Sequence, residues 1–351
     1  MCRLHDETGY NIAGGEGMEE AHDVPPHVRL GLSRQRLIAG LRTMIASRET
    51  DDRLWLLNRQ GRAHFVVTPA GHEATQLGCA WAIRVGHDYV VPYYRDMTLV
   101  MALGQSVLDI LLHAMARRDD PSSGGRQMFG HFSSRRLRIV SGSSSVGSHL
   151  VHVAGIALAF RVKGEQDIAV MGLFGEGATA EGAWHEGLTV AGIYQLPAVF
   201  VCENNQYAIS VPVNKEVPAP TVAAKAAGYG MHGVVVDGND VFAVYEAAHQ
   251  AMERARSGGG PTLLECKTYR FRPHTSADDD RRYRKPEEVE AWRARDPIKR
   301  FEHYLVEHGI ITHDEIEAMR REVRAEVDAA TDAALAAPWP PVESIADHVY
   351  G

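Results

Sequence analysis

An acid held between two glycines, Gly175-Glu176-Gly177, and the twin asparagines Asn204-Asn205 are the residues whose types and spacing point most directly to chemistry. Each pair follows a continuous apolar run, Ile168–Phe174 in the first case and Pro197–Cys202 in the second. A carboxylate and an amide oxygen are hard ligands, suited to a Mg²⁺ or Ca²⁺ ion that holds phosphate oxygens. The flanking glycines let phosphate approach the backbone, and a helix N-terminus behind them favours negative charge. The separation matches one βαβ unit of roughly 30 residues. Such a crossover brings both strand ends to the carboxyl edge of a parallel sheet, where α/β proteins bind ligands. The run Gly175-Glu-Gly-Ala-Thr-Ala180 also fits the G-x-G-x-x-A dinucleotide fingerprint, with Glu203 ending the next strand. Without a metal, Glu176 would then face a pyrophosphate at a cost of about 4 kcal/mol, taking roughly 4 Å and an effective dielectric of ~20. A plain Gly-rich connection with an Asn-Asn turn beyond it is the third reading.

Positioning these residues requires strands buried on both faces, and the two apolar runs have that pattern. Between them Ala180, Trp184, Leu188 and Ala191 recur at helical spacing, predicting a helix over Thr179–Ala191. Further runs at Asp88–Val91, Gly233–Val236 and Thr262–Phe271 alternate with helical stretches. The fold class expected is α/β, a doubly wound and mostly parallel sheet with helices on both faces. Ser33 is placed to cap a helix carrying Leu37, Leu41, Met44 and Ile45, and Thr312-His-Asp-Glu315 is a capping box before Ile316, Met319, Val323 and Val327. Pro338-Trp-Pro-Pro341 ends helical structure, leaving an extended tail. The stretch with Leu150, Ala154, Ala157 and Leu158 is apolar nearly all round and is expected to be buried. Three regions follow: an N-terminal arm at 1–32, an α/β domain at 33–285, and a helical C-terminal region with tail at 286–351.

Composition excludes several classes of function. A net charge of −8 with no Lys/Arg block argues against nucleic acid or an anionic membrane as partner. Cys2, Cys79, Cys202 and Cys266 are too scattered for a zinc site or a disulfide framework, which points to a reducing cytoplasm. The first 30 residues have no apolar core for a signal peptide, and Glu16, Glu19, Glu20 and Asp23 make them too acidic for a transit peptide. His72-Glu73 and His185-Glu186 lack the second histidine of a zinc-protease helix, and His149 with His152 lacks further ligands. No G-x-S-x-G elbow surrounds any serine.

Gly175-Glu-Gly177 followed by Asn204-Asn205 is similar to the thiamine diphosphate motif. Tyr93-Tyr-Arg-Asp96, Gly125-Arg-Gln-Met128, Glu203–Ser210, Val236–Tyr245 and Tyr269–Asp278 occur in the order of one family. From about Leu37 onward the chain resembles the alpha subunit of the first component of 2-oxo acid dehydrogenases, a family that includes branched-chain and pyruvate enzymes. The resemblance implies that Tyr94 and Arg95 contact the cofactor diphosphate, with Gly175, Gly177 and Ala178 beside it. It places Ser144, Val146 and Ile209 against the aminopyrimidine, Val146 being smaller than the family's usual residue. The metal set implied is Glu176, Asn205 and the Tyr207 carbonyl on Mg²⁺, with Glu176 where the wider group more often has Asp. Ser143, Ser148 and His149 fall where some relatives hold a monovalent cation, but His149 replaces a glutamine and no such ion is expected. His274 matches a histidine that contacts the diphosphate and assists acyl transfer, a task suited to an imidazole titrating near neutrality, and Thr275 falls at a regulatory phosphoserine position.

The activity implied is thiamine diphosphate- and Mg-dependent oxidative decarboxylation of a small 2-oxo acid, a branched-chain one favoured. The acyl group then passes to the lipoyl group of a transacylase partner. A beta subunit supplies the activating glutamate in an α2β2 heterotetramer, with no role for nucleic acid or membrane. Pyruvate and acetoin dehydrogenase alpha subunits carry nearly the same motifs. More remote alternatives are an NAD-dependent dehydrogenase and a non-catalytic assembly subunit.

Overall fold

The computed structural model describes residues 24–347, so Cys2 and most of the expected N-terminal arm lie outside the described residues. The described residues divide into two units, separated after Ser33. The first contributes the short helix α1 (Pro26–Arg29). The second opens with α2 (Arg34–Arg59), which starts one residue after Ser33, and α3 (Glu73–Ala82), followed by β1 (Tyr89–Val91), α4 (Met97–Ala102) and α5 (Val107–Ala114). Next come α6 (His149–Lys163), β2 (Val170–Gly175), α7 (Gly182–Ile193), β3 (Ala198–Asn204) and two short strands, β4 (Tyr207–Ala208) and β5 (Val211–Pro212). The remainder is α8 (Val213–Glu216), β6 (His232–Asp237), α9 (Val241–Arg256), β7 (Thr262–Lys267), α10 (Pro286–Arg293), α11 (Pro297–Glu307) and α12 (His313–Ala336).

Five strands form one parallel sheet in the order β1-β2-β3-β7-β6, the α/β arrangement expected from the apolar runs. Successive strand residues point to opposite faces. On one face Val170, Phe174, Ala198, Phe200 and Cys202 join Leu150, Val153 and Ala157 of α6 and the fully buried Trp184 of α7 in a single core. On the other, Glu203 meets Gln76 of α3. Two glycines permit the close packing: a Cβ at Gly172 would lie 2.3 Å from Val153, and one at Gly187 would lie 2.7 Å from the Leu150 carbonyl. The capping box at Thr312 and Glu315 is present, and α12 stops before Pro338.

Three expectations need correction. The predicted helix at Thr179 starts later, because Glu176–Ala180 form a tight 3-10 turn and α7 begins at Gly182. α6 is buried on one face only: Val151 and Val162 are 39% and 79% exposed, since the sheet and α7 cover one side of a largely apolar helix. The tail after Pro341 is not wholly extended, as Val342–Ala346 make a 3-10 turn. Among the described residues no helix is long and apolar enough to cross a membrane.

Candidate active site

Parallel pairing sets Gly175 opposite Glu203, so β2 and β3 end level on the carboxyl edge of the sheet. Glu176 follows immediately and turns back toward β3, where one carboxylate oxygen accepts the Asn205 N–H at 3.0 Å. The two ends of the motif thus meet. The other oxygen, Oε1, is buried and has no hydrogen-bond partner. Burial, with the Glu216 carboxylate adding to it, pushes the Glu176 carboxyl up to about 7. An acid held inside a fold with one oxygen unsatisfied is a position that a cation would stabilise. Among the described residues no cluster of three His, Cys, Asp or Glu offers a metal site. That is compatible with a set drawing on one carboxylate, one amide and one backbone carbonyl.

The loop beyond Asn205 carries the other predicted ligands. Asn205 Oδ1 accepts the Tyr207 N–H at 3.3 Å. Gln206 and Ile209 both have positive φ, 75° and 55°. Ile209 occupies the first position of the two-residue turn between β4 and β5, where glycine is the unstrained choice. A β-branched residue there is an outlier, and its side chain is 54% exposed. Arg270 fastens this loop from behind, donating to the Tyr207 carbonyl at 3.3 Å and to the Ile209 carbonyl at 2.9 Å.

Arg270 and Arg95 converge on one imidazole. Arg95 donates to the Thr68 carbonyl at 2.8 Å and lies 3.3 Å from His274 Nδ1, while Arg270 lies 3.5 Å from the same nitrogen. Both guanidinium groups are buried, and neither forms an ion pair among the described residues. Burial, then the Arg95 charge, lowers Arg270 to about 10. The same causes, burial first and then both arginines, lower His274 to about 3. The imidazole therefore does not titrate near neutrality here, contrary to expectation. Nδ1 faces two obligate donors, so the ring proton resides on Nε2. Two buried like charges, neither in a direct ion pair, form a cradle that an anion would neutralise, and the forked guanidinium suits a diphosphate.

Tyr94 borders this cradle with its ring 6.1 Å from that of His274 and 5.2 Å from the Arg95 guanidinium carbon. Tyr94, Val146, Gly175 and Ala178 line one narrow cleft of about 30 Å³ with Ser143 and His149. A Cβ at Gly177 would come within 2.9 Å of Ala208, so only glycine lets this turn approach the loop. Ser144 sits on the segment that leads into α6, with its hydroxyl 2.9 Å from His131 Nε2. His149 is engaged elsewhere, its Nε2 lying 2.8 Å from the Leu173 carbonyl. A larger opening of about 530 Å³ lies beside Ile209, lined by Ser210, Asp278, Asp279, Arg282 and Tyr283.

Of the predicted site residues, Tyr94, Val146, Gly175 and Ala178 line the cleft, Arg95 and His274 belong to the cradle, Asn205, Tyr207 and Ile209 lie on the loop, Glu176 and Gly177 face that loop from the 3-10 turn, and Ser144 adjoins the cleft. In the sequence Arg270 stands among other charges, with Arg272 beside it and Asp278-Asp-Asp280 beyond. Its lack of a direct acid partner is a tertiary fact with no signal in the local charge pattern. Glu203, the acid of the dinucleotide fingerprint, points inward: it is fully buried and accepts from Tyr93 at 3.0 Å and from Gln76 at 3.1 Å. It faces Asp96, and burial together with that second carboxyl raises the titration of Asp96. A side chain so placed cannot reach a ribose.

Sheet and cleft together define a parallel α/β fold with two buried arginines converging at its carboxyl edge. The chain belongs to the dehydrogenase E1 component family, whose model matches residues 41–343. It is 47% identical over 324 residues to the 2-oxoisovalerate dehydrogenase subunit alpha of Bacillus subtilis, covering 92% of this chain and 98% of that one. Pyruvate dehydrogenase E1 component subunits alpha of Staphylococcus aureus and Staphylococcus epidermidis are each 34% identical, with 94% and 91% of this chain covered and 83% of each relative. The chain is thus an alpha-type oxidoreductase of the 2-oxo acid dehydrogenase kind. The family implies thiamine diphosphate as cofactor, a beta subunit as partner and a lipoylated transacylase as acceptor.

Proposed function

We propose that the chain is the alpha subunit of a branched-chain 2-oxo acid dehydrogenase that uses thiamine diphosphate with Mg²⁺ and passes the acyl group to a lipoylated transacylase. The observation that carries this reading is one sheet edge on which Glu176, with one carboxylate oxygen unsatisfied, stands with two buried arginines that form no direct ion pair among the described residues. Arg95 and Arg270 bind the diphosphate, flanked by Tyr94, Gly175, Gly177 and Ala178. Glu176, Asn205 Oδ1 and the Tyr207 carbonyl hold the metal. Ser144, Val146 and Ile209 back the aminopyrimidine, and the strain at Ile209 supports a role for that turn. When bound, the cofactor supplies the electron sink for decarboxylation. His274 offers its Nε2–H to the reacting side, and a diphosphate beside it offsets the arginine charges that hold the ring neutral.

The chain supplies half of a site. Val146 at the cleft and Ile209 beside the larger opening are 44% and 54% exposed, and α6 leaves Val151 and Val162 uncovered. Both features support assembly with a beta subunit as α2β2, the partner bringing the activating glutamate. The buried free thiols Cys79, Cys202 and Cys266 support a reducing, cytoplasmic setting. The identity of 47% to a 2-oxoisovalerate enzyme against 34% to pyruvate enzymes favours branched substrates.

Reconstitution with the cognate beta chain and comparison of kcat/KM for branched 2-oxo acids, pyruvate and acetoin test the reading. The branched acids are expected to lead, and the isolated alpha chain to be inactive. Decarboxylation by the alpha chain alone refutes the shared site, and a lead for pyruvate or acetoin refutes the substrate.

A further inference from the structure

His131 lies in the segment that follows Gly125–Met128 and is 9% exposed. Its backbone neighbourhood is fixed. Phe129 and Phe132 are buried around His113, and a Cβ at Gly130 would lie 2.8 Å from the Tyr94 carbonyl. Upstream, Asp120 accepts the N–H groups of Ser122, Ser123 and Gly125. The ring has two partners: Nδ1 is 2.8 Å from the Met128 carbonyl, and Nε2 is 2.9 Å from the Ser144 hydroxyl.

These two partners determine the protons. A carbonyl oxygen only accepts, so Nδ1 carries the ring hydrogen, and in a neutral imidazole Nε2 is then a lone pair. The Ser144 hydroxyl must donate to it. With its hydrogen directed at His131, Ser144, exposed beside the cleft, presents only lone pairs on its free side.

We infer that His131 is a positioning residue which locks Ser144 as a hydrogen-bond acceptor, so that the site selects a cofactor whose pyrimidine carries an N–H donor at that point. The inference rests on the reading above that Ser144 faces the aminopyrimidine, and adds which polarity of ring substituent the wall accepts. A freely rotating serine would serve donor and acceptor alike. The locked one penalises an acceptor, because two lone pairs are then left facing each other without a proton.

The test uses the alpha chain assembled with its cognate beta subunit and Mg²⁺. Two probes are titrated by calorimetry: thiamine diphosphate and oxythiamine diphosphate, in which oxygen replaces the pyrimidine amino group. Wild type should prefer the amino cofactor. His131→Phe, which keeps the ring volume but frees the Ser144 hydroxyl to turn, should narrow that preference by about five- to tenfold, chiefly through tighter binding of the oxo probe. His131→Gln keeps an oxygen able to accept and should retain most of the preference. Ser144→Ala should remove it, after which His131→Phe should change nothing further. A purely structural histidine would weaken both probes equally and leave their ratio unchanged. An unchanged ratio in His131→Phe overturns the inference, as does a full preference surviving in Ser144→Ala, a variant that decides the matter even where His131→Phe fails to assemble. Wild-type protein that binds neither probe with Mg²⁺ overturns the cofactor reading and this inference together, whereas normal wild-type binding with an unmoved ratio removes only the role of His131.

Discussion

Glu176→Gln separates two effects that the native carboxyl combines. In the ligand-free protein this group is buried to 1% exposure and titrates at about 7, against 4.5 when unperturbed. Between those values the folded chain holds a proton that the unfolded chain has released, so stability falls as pH rises through the window. The full penalty is present above pH 7 and amounts to about 3 kcal/mol. An uncharged amide of the same shape removes it. The ligand-free variant should therefore match wild type near pH 4.5 and melt higher by roughly 3–8 °C at about pH 8. Metal binding runs the other way, because the ligand must be ionised. Calorimetry in two buffers of different ionisation heat should show close to one proton released per cofactor–Mg²⁺ complex at about pH 6 and almost none at about pH 9. The variant should release none and lose Mg²⁺-dependent cofactor binding altogether. A variant whose melting follows the wild-type pH profile contradicts the burial argument, and one that still binds the cofactor through Mg²⁺ contradicts the ligand assignment.

Arg270→Gln removes one of the two cradle charges and the ties to the Tyr207 and Ile209 carbonyls. Affinity for inorganic pyrophosphate, measured by calorimetry, should fall by about 10- to 100-fold, and affinity within twofold of wild type would contradict the cradle. Ile209→Gly relieves a positive φ and should raise the unfolding free energy, measured by denaturant titration, by about 1 kcal/mol while weakening cofactor binding; a destabilised variant would show that the turn is not strained. His274, lowered to about 3, is neutral in the folded chain, so its contribution to stability is lost as pH falls from the ordinary histidine value toward 3. Its ring resonances should stay in the neutral form at about pH 5 and move toward neutrality in their titration when pyrophosphate is added. A ligand-free titration near 6.5 would falsify the two-arginine account.

Local pattern determined much of this protein. The apolar runs of β2, β3 and β7 announced strands covered on both faces, and their abrupt ends at Gly175 and Asn204 announced the functional edge. Thr312 and Glu315 marked a helix start through side chains three residues apart, an interaction that short sequence windows contain. The paired Glu176 and Asn205 were legible for a similar reason, because one βαβ crossover fixes where both strand ends go. The tertiary structure alone decided which charges are left unpaired. Arg270 precedes Asp278, Asp279 and Asp280 in the sequence, yet it folds inward to face Arg95, 175 positions away, and reaches Asp278 only through the Tyr283 hydroxyl. The depressed titration of His274 and the raised one of Glu176 arise in the same way, from burial and from neighbours that chain order does not reveal. Periodicity could show that α6 is apolar nearly all round but not which side the sheet leaves uncovered. Backbone preferences and hydrophobic spacing act over a few residues and can be read from the chain. Electrostatic environment is a sum over groups brought together only by folding.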